Sequence, residues 1–111
     1  MNELSSFRHR YEQDPPAVQL GGLASNLGRI AWHAMRQDRP ASSLFRESKY
    51  FTEWAAASCS MEQQALLAQV QSLLASWERS WGTGLDPSAI GREAQAWSTR
   101  LLESSGLLND E

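Results

Sequence analysis

The chain has 111 residues, a formal net charge of −3 and hydrophobic residues at 41%, which fits one globular domain with a real core and argues against two domains, wholesale disorder or a global attraction to nucleic acid. Cys59 is the single cysteine, which excludes an internal disulfide and a cysteine-based zinc site. No apolar run approaches the roughly 20 residues that span a bilayer, and residues 1–14 lack the apolar stretch of a secretory signal, so the expectation is a cytoplasmic protein with no membrane partner.

Residues 1–15 are polar and weakly periodic and read as a short irregular arm. Asp14-Pro15-Pro16 then supplies a helix entry, with aspartate at N-cap and proline in the first turn. The first helix is expected over about 16–37, with Leu20, Leu23, Leu27, Ile30, Ala31 and Ala34 as its core stripe. Gln37-Asp38-Arg39-Pro40 breaks it, because the residue before proline is pushed out of the helical region. A second helix over about 41–58 carries Leu44, Phe51, Ala55 and Ser58 on one face, thickened by Phe45, Tyr50 and Trp54. Ser60 and Gln63 have the spacing of a capping box, and the stripe that follows runs through Leu66, Leu67, Val70, Leu73, Leu74, Trp77 and Trp81. Gly82-Thr83-Gly84 ends this helix. Asp86 and Pro87 open the last one, where Ile90, Ala94, Trp97, Leu101 and Leu108 face inward, Gly106 terminates, and Leu107 folds back on the last turn. No stretch alternates as a half-buried strand does. The fold class expected is all-α: a four-helix up-down bundle over 16–108 with the arm 1–15 attached.

The first helix has a second face. Gly21, Ser25, Gly28 and Trp32 recur at helical spacing, roughly 100–140° around from the leucines if each residue turns about 100°. Each glycine inside a helix costs about 1 kcal/mol against alanine, and a tryptophan facing water leaves apolar surface uncovered. These four residues are therefore read as an interaction face, surplus to folding one chain, that meets a second copy or an unknown protein partner.

The segments Leu23-Ala24-Ser25-Asn26-Leu27-Gly28-Arg29-Ile30 and Glu47-Ser48-Lys49-Tyr50-Phe51-Thr52-Glu53-Trp54 resemble a family of small all-helical cyanobacterial proteins. The resemblance runs from about 20 to 108 and includes the Trp77/Trp81 pair and the Trp97-to-Gly106 segment. It implies a compact helical protein in a cyanobacterial cytoplasm and brings no activity, cofactor or site residue with it. Gly28 departs from the alanine expected there.

Among residues able to carry chemistry, Glu47 and Glu93 border apolar stripes, and Arg100 lies seven residues after Glu93 on the same side. Two such carboxylates form an acid and base pair if their pKa values are raised, but no nucleophile or metal-ligand set accompanies them, so the simpler reading is a set of structural ion pairs. Asn26, Arg29 and His33 form a polar stripe, read as a small ligand site or as a solvated face. Neither His9 nor His33 has a second ligand at the spacing of a helical metal site, and no cofactor motif appears. Between residues 29 and 49, Arg29, Arg36, Arg39, Arg46 and Lys49 outnumber Asp38 and Glu47. That local basic patch invites a helix-turn-helix reading, yet the second helix spends its aromatic residues on packing, which counts against nucleic acid. Of five tryptophans, four fall on or beside inward stripes and Trp32 does not. The function expected is a noncatalytic helical interaction module, self-associating or docking on a protein; the alternatives are an enzyme or small-molecule binder using Glu47 and Glu93, and a weak nucleic-acid binder.

Overall fold

The structure, a computed structural model, describes residues 3–36, 41–81 and 86–107. Five helices follow one another: α1 (Glu3–Gln13), α2 (Pro16–Arg36), α3 (Ala41–Ala56), α4 (Met61–Ser80) and α5 (Pro87–Ser105). No strand forms among the described residues, and none of their helices is long and apolar enough to cross a membrane. The chain breaks expected at 37–40 and 82–84, and the inward role of Leu108, lie outside the described residues.

The all-α class stands, but the architecture is corrected from four helices and an irregular arm to five helices. Residues 3–13 are helical because two side chains, one turn apart, dock on α3. Tyr11 stacks on Phe51 with ring centroids 4.2 Å apart and planes 13° from parallel, and Phe7 meets Trp54 edge-on at 5.8 Å. The exposed Arg8–Glu12 pair at 3.3 Å adds little. Gln19 then fastens the turn into α2. Its side-chain amide donates to the carbonyls of Asp14 (2.8 Å) and Glu12 (3.4 Å), and its own carbonyl accepts from the Tyr11 hydroxyl at 2.7 Å. The α2 entry therefore differs from the expected Asp14 cap: the Pro15 carbonyl receives the amides of Val18 and Gln19.

α2 lies between two neighbours. Leu20, Leu23, Leu27 and Ile30 are completely buried, as their period requires, and α3 and α5 both pack along α2. α3 runs antiparallel to α4, tied by Lys49 to Glu78 at 2.6 Å near one end and by Gln64 to the Ala56 carbonyl at 2.8 Å near the other. Its buried positions are Phe45, Ser48, Phe51, Thr52, Trp54 and Ala55, while Leu44 is half-buried and Ser58 exposed. The stripe is thus rotated from the expected one, since α3 must serve α1, α2 and α4 together.

α4 opens on the expected capping box: the Gln63 amide donates to Ser60 Oγ at 3.1 Å and the Ser60 amide to Gln63 Oε1 at 3.0 Å. α5 opens on Asp86, whose carboxylate accepts from the Ser88 amide at 3.0 Å, and ends at Gly106 with φ 86°. That left-handed conformation favours glycine. Leu107 does not fold back on its own helix. It reaches across to α2, with Cδ1 2.5 Å from where a β-carbon on Gly21 would sit.

Candidate functional site

α2 and α5 form the most extensively packed helix pair, running antiparallel so that Gly21 meets Leu107, Ala24 meets Ser98, and Ala31 and Ala34 meet Gly91. Small residues on both sides allow it. A β-carbon on Gly91 would stand 3.3 Å from the Ala31 carbonyl oxygen and 3.2 Å from Met35 Cγ, and one on Gly28 would stand 3.6 Å from Ser98 Oγ. At this separation the buried Ser98 hydroxyl donates directly to the Ala24 carbonyl at 2.7 Å, a bond between one helix's side chain and the other's backbone.

The small-residue face of α2 is therefore corrected from surplus to structural at Gly21 and Gly28: the helix that approaches them is α5 of the same chain. Ser25 and Trp32 stay at the surface, Trp32 with 56% of its area exposed. Beside Trp32 the two helices leave an open groove of about 560 Å³. Gly28, Ala31 and Gly91 floor it, Trp32 and Met35 wall it on α2, and Arg92, Gln95, Ala96 and Thr99 wall it on α5. Met35 is 70% exposed. The Arg36 guanidinium lies 4.5 Å from the Trp32 ring centroid and the His33 ring stands edge-on to it at 4.9 Å, so the indole is held upright at the rim.

The other sequence-predicted residues do not converge. Asn26 leaves the polar stripe: it is 3% exposed and donates to Glu47 Oε1 at 3.2 Å, joining α2 to α3. Arg29 points to the surface and His33 packs on Trp32, so Asn26, Arg29 and His33 share no site. Glu93 accepts from the Trp77 indole N–H at 3.1 Å. It lines clefts between α4 and α5, whereas Glu47 lines one between α1 and α3, so the two carboxylates do not face one reacting group. Arg100 lies over the Trp97 ring, 4.6 Å from its centroid, in place of the expected pairing with Glu93. The basic residues also disperse. Lys49 pairs with Glu78 on α4, Arg46 lines the α1/α3 cleft and Arg36 covers Trp32.

No family model, curated protein or solved structure matches this chain.

Among the described residues no three histidine, cysteine, aspartate or glutamate side chains gather as metal ligands. The titratable groups displaced from their ordinary values belong to the scaffold. Burial pushes the Tyr11 phenol well up, and burial also raises the Cys59 thiol. Hydrogen bonds from the Ser88 hydroxyl and amide hold Asp86 down. Met35, Gly91, Arg92 and Ala96, which shape the groove, carry no signal when read singly. The signal is a spacing: Gly91, Ser98 and Ser105 recur every seventh residue on α5, as Gly21 and Gly28 do on α2.

Proposed function

We propose that the chain is a noncatalytic helical protein that docks a protein partner in the groove between α2 and α5. One observation carries the reading: Trp32 and Met35, 56% and 70% exposed, stand beside a floor of glycine and alanine backbone. A tryptophan held at the edge of a small-residue groove is the arrangement that buries most area once a neighbour arrives. The resemblance to small cyanobacterial helical proteins is compatible with such a role and adds no activity to it. The enzymatic alternative has less behind it, because Glu47 and Glu93 serve different helices and the groove presents no nucleophile and base. Dispersal of Arg36, Arg46 and Lys49 likewise weakens the nucleic-acid alternative.

The test is selection of a displayed library of amphipathic helices on the wild type and on Ala96→Gln, which places a polar helix-forming side chain on the exposed groove wall. Enrichment on the wild type that Ala96→Gln abolishes, with circular dichroism unchanged, is the expected result. No enrichment, or enrichment indifferent to Ala96→Gln, overturns the proposal.

A further inference from the structure

Resting on that reading, we infer that the element docked in the α2/α5 groove is an acidic amphipathic helix. The chain carries 13 acidic residues against 10 basic ones, yet the only charged side chain lining the groove is Arg92, and no carboxylate lines it. Arg92 is exposed on α5, where Nη1 donates to Ser88 Oγ at 3.3 Å. Across from it, Arg36 lies over Trp32, and exposed Arg29 sits one turn before Trp32 on α2. Cations thus flank an apolar channel from both helices. Against a net negative protein this is a local inversion of sign, and complementary charge steers and orients a partner more than it adds affinity.

The channel's form selects a helix. Its floor follows two antiparallel helices and lacks side chains beyond a methyl, so a third backbone can approach closely, and about 560 Å³ receives several large side chains. Leucine-like anchors at i, i+3 or i+4 and i+7 would enter between Trp32 and Ala96, with carboxylates on the flanks meeting Arg92 and Arg36. A second copy fits less well, because a twofold contact at the groove gathers Arg29, Arg36 and Arg92 from both chains at one seam, where like charges repel.

The test uses a fluorescein-labelled synthetic helix of about five turns, with leucines at those spacings and glutamates beside them, and a twin with lysines in place of the glutamates. By fluorescence anisotropy at low salt the glutamate helix is expected to bind roughly tenfold tighter than the lysine helix, an advantage that shrinks as added salt shortens the screening length. Arg92→Glu, at an exposed position, should remove that preference without altering the unfolding curve, and Ala96→Gln should weaken binding of the glutamate helix. Equal binding of both helices, lost together in Ala96→Gln, overturns the acidic partner and leaves the docking groove standing. Binding of neither helix overturns both. Tighter binding of the lysine helix, competition by a single-stranded oligothymidine, or a dimer seen by light scattering that Ala96→Gln dissolves each overturns the acidic helix as the occupant.

Discussion

Gly28→Ala and Gly91→Ala are expected to move stability in opposite directions, although both replace a helical glycine on the α2/α5 seam. In a helix interior the exchange gains roughly 0.5–1 kcal/mol, because glycine loses more backbone freedom on folding. At Gly28 the added methyl meets Ser98 Oγ at 3.6 Å, an ordinary contact, so the gain is kept. With about 4–8 °C of melting temperature per kcal/mol in a domain of this size, Gly28→Ala should melt about 2–8 °C higher. At Gly91 the methyl arrives 3.2 Å from Met35 Cγ and 3.3 Å from the Ala31 carbonyl oxygen. Met35 is exposed and can swing away. The carbonyl belongs to the backbone of α2 and moves only with the helix, and overpacking of this kind costs about 1–3 kcal/mol. The balance for Gly91→Ala is a loss of up to about 2 kcal/mol. Urea titration of both variants reads the two signs directly, provided the slope with denaturant is unchanged. A Gly91→Ala protein stabilised as much as Gly28→Ala would show that α5 stands farther from α2 than the Ser98 to Ala24 bond implies.

Tyr11→Phe removes the hydroxyl bound to the Gln19 carbonyl and should lower stability by about 1 kcal/mol at neutral pH. Because burial raises the folded phenol above its ordinary 10.0, the unfolded chain ionises first: the contribution of this group is whole below pH 10 and is lost as pH climbs beyond it, by up to about 1.4 kcal/mol per unit. Wild type should therefore lose stability more steeply than Tyr11→Phe above pH 10, and identical slopes in urea midpoints would refute the buried phenol. Asn26→Ala should lower stability by about 1–2 kcal/mol by leaving Glu47 without its donor. A double-mutant cycle with Glu47→Ala should show coupling of at least about 0.5 kcal/mol, and strictly additive losses would mean that the two side chains do not meet.

What the sequence discloses divides by range. The ends of α4 and α5 are legible because their causes are local: Ser60 needs only Gln63, Asp86 only Ser88, and Gly106 only its own missing β-carbon. The leucine stripe of α2 is legible for the same reason. α1 is not, because Phe7 and Tyr11 are a single i, i+4 pair in a polar segment and its helix depends on rings supplied by Phe51 and Trp54 far along the chain. Gly21 and Gly28 announce that something approaches closely, yet one helix does not say which neighbour does so; the answer sits in Gly91 and Ser98. Asn26 looks like a member of a solvated stripe because its residue type outweighs its angle. Flanked on the wheel by Leu23, Leu27 and Ile30, it is carried inward and takes Glu47 as its partner.

The unequal seams between helices set an order of opening. α2 and α5 interlock along their length, whereas α4 and α5 touch at few places and leave clefts beside Trp97 and Glu93. α1 holds on through two rings and the Gln19 turn. Backbone amides in the middle of α2 and α5 should then trade hydrogen for deuterium only when the whole chain unfolds, while those of α1 trade through a smaller fluctuation that lifts one helix and leaves the rest in place. A protease that cuts near Asp14 would meet its substrate in that lifted state, long before the seam carrying the groove has come apart.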